Sequence, residues 1–323
     1  MDEKHPTYIV DAFTSHRFAG NQAAVCLIER ELRDDEYLSI AAEFNLSETA
    51  FPIPVGGDYK TANKFTLRWF TPTTEVPLCG HATLATSHVL FNEVGNQSNQ
   101  ITFATRSGNL KVRKKDGGLV EMDFPQFGIT TVHFLGVPNV LVKYFSEFDA
   151  PSFLHHLIEC LIPSTISVRG VAYASEAKKV IIVVDKHTTN LELAEISTAK
   201  SEKMRALDPD GNFVRGVIVT LAPAKAEAQG FTDSQDEPYD YICRYFAPWV
   251  GITEDPATGS AQCALAPFWS PILGKRNLYA YQLYPSRGAQ FRVEVRDANR
   301  LALFGQSVTV LKGELFLNEA VFY

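Results

Sequence analysis

Two short turns in this sequence have the residue types of an anion-binding site. Residues 78–81 read LCGH and residues 257–260 read ATGS, and each glycine opens a stretch that predicts a helix. A helix start leaves backbone N–H groups without partners, and the helix dipole favours negative charge there. Glycine also lets a ligand approach the backbone closely. We therefore expect the N–H groups near Gly80 and Gly259 to receive a carboxylate or an enolate-like oxygen.

Polar side chains follow both glycines, His81 in the first turn and Ser260 in the second. A lone histidine is most often a satisfied core residue, but a polar residue at the matching place of a second turn favours a binding role. The helix dipole disfavours an imidazolium at this position, so we expect a neutral, hydrogen-bonding His81. Asp255 precedes Pro256 just ahead of the second turn, where it is a helix-entry residue, a site residue or both.

The two turns belong to a longer internal duplication. Residues 67–85 (LRWFTPTTEVPLCGHATLA) match residues 243–265 (CRYFAPWVGITEDPATGSAQCAL), with a three-residue insertion in the second copy. Two halves built on one plan should meet about a pseudo-two-fold axis, and asymmetric chemistry is expected where they differ. The matched pairs include Arg68 with Arg244, Glu75 with Glu254 and Gly80 with Gly259, and the differing pairs include Val76 with Asp255 and His81 with Ser260.

Length and composition indicate a two-domain globular protein. The chain has 323 residues, of which 46% are hydrophobic and 21% charged, and this is ordinary for a chain with room for two cores. The formal net charge is −7 with both signs mixed, so the basic stripe that nucleic acid binding requires is missing. No apolar stretch approaches the roughly 20 residues that span a bilayer, so membrane insertion is not expected.

The N-terminal residues and the cysteines favour one cellular compartment. The first residues, MDEKHPTYIV, lack the basic and then apolar pattern of a signal peptide. The five cysteines are odd in number and form no CxxC motif, which favours reduced thiols and a cytoplasmic location. No ligand cluster has metal-site spacing and no phosphate-loop signature occurs, so neither a metal nor a cofactor is expected.

Strand patterns dominate both halves, and each half also predicts one unusual helix. Residues 80–91 and 258–269 are apolar or small nearly all round, so both helices should be buried rather than amphipathic. Residues 189–206 predict a polar helical stretch, and residues 223–238 predict an exposed loop because they are polar and lack periodicity.

Glu48 stands in the segment NLSETAF, residues 45–51, at the start of a predicted apolar strand. Strands disfavour glutamate. From the residues alone, the simplest interpretation is an exposed carboxylate at a strand end.

Four segments together resemble the phenazine-biosynthesis isomerase (PhzF-like) family, and most of all its animal branch, the MAWD-binding-protein-like proteins. They are IVDAFTSHRFAGNQAAVC, NLSETAF, LRWFTPTTEVPLCGHATLA and YFAPWVGITEDPATGSAQ. The resemblance covers nearly the whole chain and is weaker at 126–170 and 223–238.

The resemblance implies an α+β, diaminopimelate-epimerase-like fold. Such a fold has two pseudo-symmetric lobes, each with a β-barrel-like sheet around a central buried helix, and the active site in the cleft between them. We expect an N-terminal lobe at residues 1–128, to which residues near 309–323 cross back, and a C-terminal lobe at residues 129–308.

The resemblance also implies roles for individual residues. In the phenazine enzymes a glutamate moves a proton within a dihydro-hydroxyanthranilate ring without cofactor or metal, and that glutamate falls on Glu48. The family's Gly-His pair and its D-P-x-T-G-S motif place the assisting residues at His81, Asp255 and Ser260. The positions expected to bind substrate are Gly80, Gly259, Thr258 and Cys79.

Cys79 and Thr258 mark a departure from the related epimerases and racemases, which use two cysteines, one before each glycine, as base and acid. A threonine hydroxyl is a poor proton acceptor at neutral pH, so two-base racemisation is disfavoured. Cys79 is either a thiol that faces the substrate or a small buried residue.

We therefore expect a cofactor-independent isomerase that moves a proton on a small carboxylic acid, with Glu48 as general acid/base. Two alternatives stay open: a single-cysteine epimerase or dehydratase of the same fold that uses Cys79, and a non-catalytic protein that keeps the fold and binds a protein partner. The resemblance also implies a homodimer.

Overall fold

Strands outnumber helices in the computed structural model, which describes residues 3–132 and 140–317. The earlier strands are β1 (Glu3–Ala12), β2 (Asn21–Cys26), β3 (Glu48–Pro54), β4 (Lys64–Phe70), β5 (Glu75–Val76), β6 (Gln100–Thr105), β7 (Gly108–Lys114) and β8 (Val120–Pro125). The later strands are β9 (Thr130–Val132), β10 (Glu147–Phe148), β11 (Val168–Ala174), β12 (Lys179–Val184), β13 (Gly216–Leu221), β14 (Tyr241–Ala247), β15 (Ile252–Asp255), β16 (Asn277–Gln282), β17 (Ala289–Val295), β18 (Arg300–Gly305) and β19 (Ser307–Leu317).

The helices are short, apart from α1 and the last one. They are α1 (Asp34–Phe44), α2 (Gly80–His88), α3 (Leu154–Leu161), α4 (Asn190–Ala194), α5 (Ser201–Leu207), α6 (Ala226–Gln229) and α7 (Gly259–Leu273). Within the described ranges, no helix has both the length and the hydrophobicity that a membrane crossing requires.

The chain divides into two units. The first contains residues 1–124 and 303–323, and the second contains residues 125–302. The strand β19 lies in the first unit and pairs antiparallel with β1, from Ser307 opposite Ala12 to Leu317 opposite Glu3. The end of the predicted final strand, residues 318–323, lies outside the described residues.

Each unit contains the same series of strand pairings. In the first unit β1, β2, β3, β4, β6 and β7 follow one another with antiparallel, parallel, antiparallel, parallel and antiparallel contacts. In the second unit β11, β12, β13, β14, β16 and β17 repeat that series in the same order. The duplication read from two motifs therefore extends to the topology of both units.

The two helices predicted to be buried occupy matching places in this series. A short strand pairs with β4 or β14 and leads directly into the helix, as β5 into α2 and as β15 into α7. All residues of α2 from Gly80 to Ser87 are buried. Most of α7 is buried as well, including Gly259, Gln262 and Trp269. Because these helices are apolar on nearly every side, solvation on any face would be unfavourable.

Three helical predictions differ from the structure. The predicted helix 80–91 changes to a π-helix at Val89–Val94, and α7 continues to Leu273 beyond its predicted end. The polar stretch 189–206 forms two separate short helices, α4 and α5.

The predicted loop 223–238 is more structured than its polar composition indicates. It contains α6 and an isolated bridge between Thr232 and Pro238. Gln229 and Phe231 are buried within it, and the Gln229 amide donates to the carbonyls of Lys186 and Thr188. A buried amide must find such partners, and two isolated anchors of this kind leave no periodic pattern in the sequence.

Candidate active site

Glu48 is buried in the first unit, contrary to the exposed strand-end carboxylate that the residues alone suggest. It is the first residue of β3 and lies opposite Ala23 of the parallel strand β2, and 6% of its surface is exposed. A carboxylate is rarely buried to this extent unless it is paired. Its nearest charged neighbour is His81, whose Nε2 lies 3.1 Å from Glu48 Oε2.

Glu48 Oε2, the oxygen that faces His81, forms no hydrogen bond with the described residues. The N···O distance between the two side chains is that of an ion pair. A buried oxygen with a free lone pair, next to an imidazole, is the arrangement that a general base requires.

His81 is the centre of this cluster, in the first turn of α2 and 4% exposed. Its Nδ1 lies 3.4 Å from Cys79 Sγ and 3.2 Å from Asn21 Nδ2. Its Nε2 lies 3.2 Å from Ser47 Oγ, and Ser47 also donates to Asn21 Oδ1 at 3.2 Å. Both ring nitrogens are thus in contact with polar groups, so the plane of the imidazole is fixed.

Two neighbours of His81 act against the neutral form that its place at a helix start favours. Burial lowers the pKa of His81, but the neighbouring Cys79 sulfur and Glu48 carboxylate outweigh burial and raise the pKa well above its usual value. The helix dipole that motivated the expectation contributes only about 0.3–1 kcal/mol. A carboxylate in direct contact inside the protein is the stronger influence, and the pKa of His81 therefore shifts upward.

Cys79 directly precedes α2, in an extended conformation with φ −138° and ψ 112°. Burial and the nearby Glu48 carboxylate raise the pKa of its thiol, although His81 opposes this. The thiol is therefore protonated at neutral pH and is a weak base. This favours Glu48 over Cys79 as the group that accepts a proton.

Glu48, Cys79 and His81 also present one potential metal-ligand atom each, all within 4.8 Å of one another. Zinc accepts all three donor types. However, His81 meets Cys79 with Nδ1 and meets Glu48 with Nε2, so an ion on either nitrogen would lie on the side of one partner and away from the other. The arrangement fits proton transfer better than shared coordination.

Asp255 and Thr258 are joined in the second unit. Asp255 is the last residue of β15 and Thr258 directly precedes α7 in an extended conformation, with φ −114° and ψ 94°. The Thr258 hydroxyl donates to Asp255 Oδ2. The proton of this hydroxyl is thus directed at the Asp255 carboxylate.

Gln282, which the motifs did not indicate, holds this turn in place. Its Oε1 accepts from the Thr258 backbone N–H at 2.8 Å, and its Nε2 donates to the Asp255 carbonyl at 2.5 Å and to Thr258 Oγ1 at 3.1 Å. It is fully buried at the end of β16. Gln282 is therefore a positioning residue for Asp255 and Thr258.

Ser260 contacts a second residue that sequence reasoning missed. Lys179, the first residue of β12, places Nζ 3.2 Å from Ser260 Oγ and 2.7 Å from the Tyr245 hydroxyl. Asn21 and Ser47 were missed in the same way beside His81. All four missed residues are single polar positions within or next to strands, and a lone polar residue at a strand end carries no periodic signal.

The duplicated motif forms the same ion pair in each unit. Arg68 Nε and Nη2 donate to the Glu75 carboxylate at 2.9 and 2.6 Å. Arg244 Nε and Nη2 donate to the Glu254 carboxylate at 2.7 and 2.8 Å. Each pair braces the short strand that leads into α2 or α7, so the aligned charges position both helix starts.

Comparison with known proteins agrees with this architecture over nearly the whole chain. The family model described as phenazine biosynthesis-like protein (PhzC-PhzF) matches residues 10–313. A phenazine biosynthesis-like domain-containing protein 1 of Mus musculus is 40% identical over 97% of this chain and 99% of its own length. A protein named an uncharacterized isomerase in Halalkalibacterium halodurans is 35% identical over 97% of this chain and 98% of its own length.

Solved structures confirm the predicted fold class. The crystal structure of a phenazine biosynthesis PhzF-family protein from Enterococcus faecalis has a TM-score of 0.77 and 32% identity, and covers 98% of this chain and 100% of that one. Epimerase structures at 18% and 11% identity share the fold alone. With the duplicated motif, the matching topology of both units and the match over residues 10–313, the chain belongs to the PhzC-PhzF family of phenazine biosynthesis-like proteins.

Proposed function

We propose that this protein is a cofactor-independent isomerase that moves a proton on a small carboxylic acid, with Glu48 as the general acid/base. The observation that carries the proposal is the buried Glu48 carboxylate, whose Oε2 lacks a hydrogen-bond partner among the described residues. The name of the Halalkalibacterium halodurans relative as an isomerase supports the reaction class.

The neighbours of Glu48 fit both steps of such a reaction, the removal of a proton from one carbon and its return to another. Glu48 takes a proton from an acidic C–H of the substrate and returns it to another carbon. In its protonated form His81, 3.1 Å from Glu48 Oε2, stabilises the carboxylate that starts the cycle and donates towards negative charge that develops on the substrate. In this proposal Asp255 and Ser260 bind the substrate, together with the N–H groups near Gly80 and Gly259 and the residues Thr258 and Cys79.

A single-cysteine epimerase or dehydratase is the second candidate, because Cys79 Sγ lies 3.4 Å from His81 Nδ1. A thiol next to an imidazole is a familiar acid/base pair. Against it, burial and Glu48 raise the pKa of Cys79. The equivalent position in the second unit is Thr258, whose hydroxyl donates a hydrogen bond to the Asp255 carboxylate.

Solvent-deuterium exchange separates the two candidates. The full chain is incubated in D2O with a panel of small unsaturated, hydroxy and amino carboxylic acids, and deuterium incorporation and double-bond migration are followed by NMR. We expect Glu48→Gln to slow exchange by about 10²- to 10⁴-fold, the contribution typical of a general acid/base. Glu43→Gln, which removes an exposed carboxylate from α1, should leave the rate unchanged.

The outcome that favours the second candidate is equally specific. Exchange that is lost in Cys79→Ala but retained in Glu48→Gln assigns the chemistry to the thiol. A wild-type chain that exchanges none of the acids removes support for catalysis and favours the non-catalytic, partner-binding alternative.

A further inference from the structure

Lys179 is a buried lysine whose ammonium group contacts two hydroxyls. It is 5% exposed, and its Nζ donates to the Tyr245 hydroxyl at 2.7 Å and lies 3.2 Å from Ser260 Oγ. The same Nζ lies 4.2 Å from the centroid of the Tyr245 ring. These contacts fix the end of a long, flexible side chain, which loses considerable conformational freedom when it is ordered.

The described residues give Lys179 no carboxylate partner. Within residues 3–132 and 140–317, Lys179 has the hydroxyls of Tyr245 and Ser260 as its hydrogen-bond partners and forms no ion pair. Buried charges in proteins are normally paired, because removing an ion from water is costly. An ammonium group has three donors, and the two hydroxyls leave one of them for an incoming anion.

Lys179 opens its strand in the second unit as Asn21 does in the first. Asn21 opens β2 and lies opposite Ala12, the last residue of β1. Lys179 opens β12 and lies opposite Ala174, the last residue of β11. The similarity extends to their contacts, because Asn21 contacts His81 and Lys179 contacts Ser260, the residue that aligns with His81.

The counterpart of Glu48 has no side chain. Phe51 lies opposite Arg68 and Val219 lies opposite Arg244, and the duplicated motif aligns these two arginines. Glu48 therefore corresponds to Gly216. The first unit carries a buried carboxylate, and the second carries a buried cation that has no ion-pair partner among the described residues.

We propose that Lys179 is the specificity-determining residue of the second unit, a receptor for the carboxylate of the ligand. Ser260 and Tyr245 orient Nζ, and the first turn of α7, which starts at Gly259, adds backbone donors and a favourable dipole. The site therefore selects anionic acids over their neutral amides or esters. This inference rests on the proposed function for the class of substrate, and it adds the group that recognises the acid.

Binding of a charged and an uncharged probe of the same shape tests the inference. Calorimetry measures the affinity of the full chain for benzoate and for benzamide. We expect wild type to prefer benzoate, and Lys179→Met to weaken benzoate binding about 10- to 100-fold with no effect on benzamide, as expected for a lost hydrogen bond to a charged group. The control is Lys178→Met, which removes the charge of a neighbouring lysine and should leave benzoate binding unchanged. The Nζ of Lys178 donates to the Gly211 carbonyl.

A second measurement uses the wild-type chain and does not depend on the folding of a variant. The NMR signal of the Lys179 ε-CH₂ group should move on addition of benzoate and stay in place on addition of benzamide. Equal affinities for the two probes, unchanged benzoate binding in Lys179→Met, or a Lys179 signal that ignores benzoate would each overturn the inference. Benzoate binding that depends on Lys179 but persists in Glu48→Gln distinguishes this inference from the catalytic proposal, which the exchange rate tests separately.

Discussion

His81 Nε2 lies 3.1 Å from Glu48 Oε2, and both side chains are buried in the first unit. This contact acts against the neutral form that the position of His81 at a helix start favours. The pKa of His81 is raised by Cys79 and Glu48 against the opposing effect of burial.

Removal of the carboxylate should lower the pKa of His81. In Glu48→Gln, the carboxylate no longer opposes burial, so the pKa of His81 should fall from its raised value towards or below the usual value. NMR titration of carbon-13-labelled histidine measures this directly. The exposed replacement Glu43→Gln should leave the His81 titration as in wild type. A His81 pKa that is the same in wild type and Glu48→Gln would contradict the ion pair.

The same pair should make stability depend on pH. Because the folded pKa of His81 lies above the unfolded value of about 6.5, its stabilising contribution is complete below pH 6.5 and is lost as pH rises through the folded pKa. Urea unfolding of wild type and His81→Asn across this range measures the difference. We expect the advantage of wild type to shrink as pH rises, and an advantage that grows instead would refute the assignment.

Equivalent arginines should differ in their importance for stability. Arg244 is 1% exposed, and Arg244→Met would leave the buried Glu254 carboxylate without its partner, at a cost of about 3–5 kcal/mol. Arg68 is 25% exposed, and Glu75 keeps Arg106 at 2.8 Å, so Arg68→Met should cost about 1 kcal/mol. Chemical denaturation of both variants gives the comparison. Equal losses would show that the matched pairs do not differ in burial as the structure indicates.

Gly216 leaves the space that the Tyr245 side chain occupies. A Cβ at this position would lie 2.3 Å from the Tyr245 hydroxyl and 2.7 Å from its ring. Gly216→Ala should therefore displace Tyr245 and cost about 1–3 kcal/mol of unfolding free energy, the range for overpacking. Gly128→Ala is the matched control, because its nearest neighbour would be 3.8 Å away. Similar unfolding free energies for the two variants would argue against the close approach.

Thiol labelling should single out Cys160. Cys26, Cys79, Cys243 and Cys263 are buried, whereas Cys160 is half-buried. Burial raises the pKa of Cys26, Cys243 and Cys263 to about 12, so their reactive thiolate is scarce. Mass spectrometry after brief iodoacetamide treatment of the native chain at pH 8 should find label on Cys160 first. Label on all five cysteines is expected only after denaturation, and early label on Cys79 would place its thiol in a more open environment than described.

The repeated motif predicted contacts as well as secondary structure. Arg68 with Glu75 and Arg244 with Glu254 were aligned as residues of one pattern, and they form equivalent ion pairs. Residues at fixed spacing in one hairpin form local contacts, so an alignment predicts them. Glu48 is different, because strand patterns alone favoured an exposed carboxylate and the resemblance to a family singled it out.

By itself, the sequence determined the duplicated plan, the two buried helices and the two glycine turns, since each depends on neighbours within about twenty residues. The tertiary structure alone decided that Glu48 is buried against His81, that Gln282 holds the Asp255 turn, and that Lys179 contacts Ser260. These contacts join residues that lie far apart in the chain. Strand pairing sets both the neighbours and the burial of a polar group, and those two quantities fix its charge and its partners.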